Sequence, residues 1–231
     1  MSAYPVDIRG DLSAPPERGW WLIKWLLALP HYIILAFLLA AFVVVWVIAF
    51  FAILFTGKYP KSLFDFNTGV LRWGWRVAFY SYGALATDKY PPFSLKPDPD
   101  YPADIEIPYP EKFSKGLVLV KWWLLAIPHY IIVGIFSGGW SMGLHWGGTP
   151  AETWTWQVGD QIVKVDKWQT SGGTNLIFIL AIFAAIYLLF AGRYPKDIFK
   201  LVLGFNRWVF RVGAYAALMT DEYPPFRLWD D

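Results

Sequence analysis

Residues Trp20 to Phe55 read WWLIKWLLALPHYIILAFLLAAFVVVWVIAFFAILF, 36 positions with a single lysine, Lys24, and no acid. Apolar runs beyond about 18 residues read as membrane-spanning. The whole chain of 231 residues points the same way, with 56% hydrophobic types, 20% aromatics and 15 tryptophans, too oily for an ordinary soluble domain. The run is too long for a secretory signal and has no small-residue cleavage site, so the N-terminus is expected to be retained. No cysteine is present, which excludes disulfides, thiolate nucleophiles and thiolate metal sites.

Working outward, the same motifs recur in the same order. "YPVDI" from Tyr4 returns as "YPADI" from Tyr101, and "LPHYII" ending at Ile34 returns as "IPHYII" ending at Ile132. "GKYPKSLF" from Gly57 returns as "GRYPKDIF" from Gly192, and "RWGWRV" from Arg72 as "RWVFRV" from Arg207. "TDKYPPFSL" from Thr87 returns as "TDEYPPFRL" from Thr220. The chain therefore reads as a tandem duplication, residues 1–97 and 98–231. Pro30 to Tyr59 is 29 residues and Pro128 to Tyr194 is 66, so the second half carries an insert of 37, assigned to 137–174.

The insert starts opposite Leu38. A straight helix over Trp20–Phe55 would be about 54 Å long, against a hydrocarbon core of roughly 30 Å. A polar insert is excluded from hydrocarbon unless protein buries it. These constraints predict a fold-back: spans at 20–38 and 41–55, matched by 117–136 and 175–190. A single tilted span from Pro30 to Phe55, with Trp20–Leu29 in the interface, is the alternative. Segments 70–86 and 205–219 are less oily. If they lie on the membrane, 18 of the 20 Lys and Arg share one side, leaving only Lys164 and Lys167 opposite. The positive-inside rule favours that arrangement, with both termini cytoplasmic in a multi-pass protein of a bacterial plasma membrane.

The expected architecture is thus an all-α integral membrane protein built as a tandem parallel repeat. Each half is a transmembrane helical hairpin plus an interfacial amphipathic helix. "TWTWQVGDQIVKVDKW" predicts an extracytoplasmic β-hairpin turning at Gly159-Asp160. The linker between the halves holds seven prolines. Its "FSL" and "DIEI" runs suit short edge strands pairing with "VDIRG" in a small cytoplasmic β-patch. The ordered motifs resemble a family of bacterial integral membrane proteins classed as a domain of unknown function. The resemblance covers nearly the whole chain apart from the insert, and it implies no reaction, ligand or catalytic residue.

Two groups of residues invite function. His31 and His129 would ligate a haem or other tetrapyrrole in a helical bundle, or else make structural hydrogen bonds beside Pro30 and Pro128, whose missing N–H frees the carbonyl of Leu26 or Leu124. Arg72 and Arg76, and Arg207 and Arg211, share helix faces with Trp73 and Trp208 nearby. With Lys58 and Arg193, and with Lys61 and Lys196, they suit anionic lipid headgroups at a basic rim. The alternative is topology anchoring or ion pairing to Asp88, Asp221 or the acidic linker. "GWSMG" around Ser141 matches a nucleophile elbow but lacks the strand–helix setting and a later histidine. No catalytic or metal site is predicted, and the cofactor remains unknown. Three classes follow: a non-enzymatic lipid-binding scaffold or accessory subunit of a larger membrane complex, a small-solute or lipid transporter, and a pigment or redox protein. The first is the leading expectation, with membrane lipids as partners and no nucleic acid.

Overall fold

A computed structural model describes residues 4–12, 16–137, 153–158, 161–166 and 175–229, with side chains outside 153–166. The elements are strand β1 (Asp7–Gly10), helices α1 (Trp21–Thr56) and α2 (Lys61–Tyr80), and strand β2 (Ala103–Glu106). A short α3 (Leu117–Val120), a π-helical turn (Lys121–Leu125) and α4 (Ile127–Ser137) follow. Strands β3 (Thr153–Val158) and β4 (Gln161–Asp166) and helices α5 (Leu176–Ala191) and α6 (Lys196–Ala216) complete the chain.

Helix α1 corrects the expected fold-back: it is continuous through residues 38–41, so the first half contains no hairpin of two spans. Leu38 to Ala41 are all good helix formers, and nothing there stops a helix. Along α1 the buried side chains are Lys24, Ala28, His31, Leu35, Ala49 and Ile53, with Leu38, Phe42 and Trp46 half-buried between them. Those steps of three and four make one stripe facing the protein from end to end. Only 11% of the most apolar stretch of α1 is buried, whereas a soluble core helix would be covered all round. In the second half the same long element is divided: α4 ends at Ser137 and α5 begins at Leu176, on either side of the insert.

Helix ends follow local chemistry. Gly57 and Gly192 adopt left-handed φ of 72° and 70°, and their N–H groups close on the carbonyls of Ile53 and Leu188. Pro60 and Pro195 then open α2 and α6, where a missing N–H costs nothing. The recurring Gly-(Lys/Arg)-Tyr-Pro motif is thus a stop, a turn and a start. It begins α2 and α6 nine residues before the expected segments at 70 and 205.

Lys24 stands six residues before Pro30, but Lys121 stands seven before Pro128. The extra residue is wound into the π-helical turn, and the chain bends by 43° between this segment and α4. The bulge lets both Lys121 and His129 reach partners that match those of Lys24 and His31.

Strands β1 and β2 pair antiparallel with Ile8 opposite Ile105, as the "DIRG" and "DIEI" runs predicted; "FSL" forms no strand. Strands β3 and β4 pair as expected from Thr153 opposite Asp166 to Val158 opposite Gln161. The turn at Gly159-Asp160, Ser141 and His145 lie outside the described residues. The core is formed by Val6, Ile8 and Ile105 of the β-patch against Trp75, Phe79, Phe199 and Phe205 of α2 and α6. Two hydrogen bonds cross-brace the halves: Trp46 of α1 donates to the Ala216 carbonyl at 3.1 Å, and Tyr194, in the turn after α5, donates to the Ala84 carbonyl at 2.5 Å.

Candidate functional site

Each histidine sits in an aromatic box assembled from three stretches. Helix α1 brings His31, α2 brings Trp73, and the "YPPF" segment after α2 brings Tyr90 and Phe93. The Trp73 indole donates to His31 Nδ1 at 3.0 Å, Phe93 stacks on the imidazole at 4.0 Å, and Tyr90 lies 4.8 Å away. In the second box Trp208 donates to His129 Nδ1 at 3.0 Å, Phe226 stacks at 4.2 Å and Tyr223 lies at 4.8 Å. The prolines in "YPPF" hold the tyrosine and phenylalanine in an extended stretch, which lets both rings reach one imidazole.

The tautomer decides what these histidines can do. An indole nitrogen only donates, so Nδ1 must accept, and the hydrogen of a neutral imidazole then resides on Nε2. A metal-ligating histidine needs the reverse: a lone pair on the ligating nitrogen and an N–H on the other donating to an acceptor. No ring contact or hydrogen bond among the described residues joins His31 to His129. The geometry therefore supports structural histidines and speaks against haem ligation. Among the described residues neither histidine donates to the freed carbonyl of Leu26 or Leu124; Tyr90 and Tyr223 donate to the carbonyls one residue further on, those of Leu27 at 3.0 Å and Leu125 at 3.1 Å. Nε2 is buried in both rings. At His31 it has no hydrogen-bond partner among the described residues, and at His129 the Pro224 backbone interacts with the ring.

Losing the indole donor would leave Nδ1 buried and unsatisfied as well, at a cost of about 1–3 kcal/mol. Trp73→Phe and Trp208→Phe are each expected to lower the midpoint of thermal unfolding by several degrees, followed by the fluorescence of the remaining tryptophans. An unchanged midpoint in both would show that the boxes hold nothing together.

About two helical turns before each histidine lies a buried ion pair. Lys24 Nζ reaches Asp88 at 2.8 Å and the Thr87 carbonyl at 2.7 Å; Lys121 Nζ reaches Asp221 at 2.6 Å and the Thr220 carbonyl at 2.9 Å. The two aspartates also accept the backbone N–H of Glu17 at 2.5 Å and of Ser114 at 2.6 Å, just before α1 and α3. The recurring Thr-Asp is therefore a clamp on the incoming chain. Its lysine partners, Lys24 and Lys121, carry no sequence signal beyond being charges at the starts of apolar runs.

The expected headgroup-binding arginines are inside the protein, which corrects the lipid-binding assignment of Arg72, Trp73, Arg76, Trp208 and Arg211. Arg72 Nε donates to Asp104 at 2.7 Å and its Nη1 to the Leu95 carbonyl at 3.0 Å. Arg76, with 0% exposure, reaches the same carboxylate at 3.3 Å and the Lys96 carbonyl at 3.0 Å. Burial pulls the Arg76 guanidinium down from its ordinary range, and Asp104 pushes it back up. Arg207 donates to the Ile8 carbonyl at 3.0 Å, and Arg211 lies over the Tyr4 ring at 5.6 Å. These contacts pin the β-patch to α2 and α6, and they realise the ion-pair alternative through the acidic linker. Of the predicted basic rim, Lys58, Lys61, Arg193 and Lys196 do stand exposed at the helix turns.

The fold is thus mostly helical, with one helix among the described residues long and apolar enough to cross a membrane and a small strand pair laid over two buried helices. The chain belongs to the family described as a domain of unknown function (DUF4389), whose model matches residues 19–94 and 173–227, more than half of its length. The matched segments hold α1, both boxes' tryptophan and "YPPF" elements, α5 and α6; the linker, α3, α4 and the insert lie outside them. No curated protein and no solved structure matches the chain.

Proposed function

We propose that the protein is a non-enzymatic scaffold embedded in a membrane, a duplicated chain folded about a pseudo-two-fold axis between Ile8 and Ile105. Equivalent strands facing each other in antiparallel register, and boxes and clamps occurring once per half, support that symmetry. The observation that carries the reading is the burial pattern of α1. One stripe is spent on the protein, while Ile33, Phe37, Val44, Phe51 and Phe55 on its other sides are exposed. An uncovered apolar surface of this extent marks a membrane or partner interface.

Both ends of α1 are tied to one polar linker. Lys24 is held by Asp88, and at the other end Phe113 donates to the Gly57 carbonyl at 3.0 Å and Lys115 to the Phe55 carbonyl at 2.7 Å. A segment carrying Lys89, Lys96, Asp98, Asp104 and Glu111 is unfit to cross hydrocarbon, so both ends of α1 belong on one membrane side. In place of two transmembrane hairpins, α1 lies along that side, sunk into the lipid, beneath a layer formed by α2, α6 and the β-patch. The concentration of Lys and Arg on that side supports a cytoplasmic layer, the bacterial plasma membrane being the expected location. Transport is disfavoured, because the ionisable side chains of the apolar helices are already bound in clamps.

The absence of cysteine makes the test clean. In sealed vesicles, Glu17→Cys and Lys58→Cys are expected to react with a membrane-impermeant maleimide from the same side. Leu39→Cys is expected to react from neither side until detergent is added. Labelling of Leu39→Cys from the side opposite Glu17→Cys would restore the transmembrane hairpin. Labelling of positions 17 and 58 from opposite sides would restore a simple span.

A further inference from the structure

The two turns that follow the apolar helices are equivalent in sequence but not in structure. After α1, Lys61 is neutralised by Asp65 at 2.9 Å and lies over the Tyr109 ring at 5.5 Å. Tyr109 fills the corner, donating to the Tyr59 carbonyl at 2.5 Å and packing edge-on against Phe64 at 5.1 Å. After α5 the counterparts of these residues have changed. Aligning "YPADIEIPY" with "YPVDIRGDL" puts Leu12 where Tyr109 stands, and aligning "KYPKSLFD" with "RYPKDIFK" puts Lys200 where Asp65 stands. The corner is open: a cavity of about 510 Å³ is lined by Leu12, Tyr187, Arg193, Tyr194, Lys196 and Asp197, together with Pro195.

Charge accumulates at this corner. Arg193, Lys196 and Lys200 are exposed and in no ion pair among the described residues. The Arg18 guanidinium packs on Gly192 so closely that a Cβ there would lie 2.2 Å from Nη2. Arg193 and Lys196 line the cavity, with Asp197 the one acid among its lining residues; Arg18, packed on Gly192, and Lys200, one helical turn beyond Lys196, stand outside the lining. Immediately up the helix the surface turns fully apolar, with Phe190 81% exposed and Phe183 57% exposed. A basic notch at the rim of an apolar helix face matches a molecule with an anionic head and oily tails.

We infer that the notch between Leu12, Tyr187, Arg193 and Lys196 binds the phosphate of an anionic phospholipid, whose acyl chains run along the exposed face of α5. The equivalent corner of the first half does not bind one. This rests on the membrane-embedded reading above and specifies its lipid partner. The duplication has left one copy of the turn closed and neutral and made the other open and basic.

The full chain, stripped of lipid in mild detergent, would be titrated with phosphatidylglycerol and with phosphatidylcholine and examined by native mass spectrometry. Wild type is expected to hold one phosphatidylglycerol in preference to phosphatidylcholine by about tenfold, the effect of a net gain of one or two cations near an anionic headgroup. Leu12→Tyr with Lys200→Asp copies the first-half corner, a packing this chain already uses, and is expected to lower phosphatidylglycerol binding about tenfold with little change in thermal midpoint. Lys200→Asp alone, which leaves the packing untouched, is expected to lower it severalfold. Lys58→Ala, at the closed corner, is expected to leave binding unchanged. Equal binding of both lipids by wild type, undiminished binding in Lys200→Asp, or an equal loss in Lys58→Ala would overturn the inference. Displacement of the lipid by millimolar inorganic phosphate would overturn it in favour of a free-phosphate site. Extraction of wild type from vesicles by alkaline carbonate would overturn the membrane reading itself. A protein that resists extraction but shows no lipid preference would overturn this inference alone.

Discussion

Asp104→Ala is expected to destabilise the protein by about 3–5 kcal/mol, the range for removing one partner from a buried charge cluster. The Asp104 side chain is 12% exposed and serves both Arg72 and Arg76, whose side chains are 9% and 0% exposed. Without it, two guanidinium groups are left beside backbone carbonyls alone, out of water and repelling each other. For a chain of this size the loss corresponds to a drop of roughly 6–20 °C in thermal midpoint, followed by tryptophan fluorescence in detergent. The counterpart Asp7 has a side chain 54% exposed, and among the described residues it is ion-paired only with Arg9, at 3.8 Å, so Asp7→Ala should shift the midpoint by no more than a degree or two. A midpoint for Asp104→Ala within about 2 °C of wild type would mean that water still reaches the arginines, and the headgroup reading of Arg72 and Arg76 would have to be reopened.

The second large effect lies in the clamps, where the two partners of one ion pair should differ in importance. Asp88→Ala leaves the Lys24 ammonium, 1% exposed, with the Thr87 carbonyl and the Tyr80 ring 5.1 Å away, and it removes the acceptor for the Glu17 N–H. Asp88 is itself 29% exposed, so water softens the loss, and about 2–3 kcal/mol is expected. Lys24→Met removes the charge with the buried stem preserved and leaves a carboxylate that water can reach, for about 1 kcal/mol. The same order is expected for Asp221→Ala against Lys121→Met. Equal or reversed losses in both pairs would show that the aspartates do not anchor the chain entering the helices.

Much of the candidate site was visible in the sequence as repetition, and little of it as geometry. The recurring "PHYII", "RW" and "YPPF" elements are the histidine, tryptophan and tyrosine–phenylalanine walls of the two boxes, but no periodicity connects residues 31, 73 and 93. A spacing of four told that Arg72 and Arg76 share a face of α2. It left open which way the face points, because basic residues beside aromatic ones suit a headgroup layer as well as they suit a buried carboxylate. Only the pairing of β2 with β1 carries Asp104 over that face. The fold-back failed for a different reason. An insertion point shows where a chain tolerates being opened, and the second half does open there, between α4 and α5. It does not show that the uninterrupted copy turns, and α1 has no residue that would make it do so.

The sequence by itself determined what local chemistry controls. That includes the apolar extent of α1 and α5, the Gly-to-Pro stop and start between helices, the alternation that pairs "DIRG" with "DIEI" and "TWTWQV" with "QIVKVD", and the duplication. Each depends on residues close together in the chain or on a pattern repeated along it. The tertiary structure decided the rest: the burial of the arginines, the tautomer of the histidines, the clamps on Lys24 and Lys121, and the opening of one corner by Leu12 and Lys200. These depend on partners far along the chain, 28 residues away for Arg76 and Asp104 and 199 residues away for Arg207 and Ile8, and the energy of a buried charge or an unpaired nitrogen is set by what surrounds it in space.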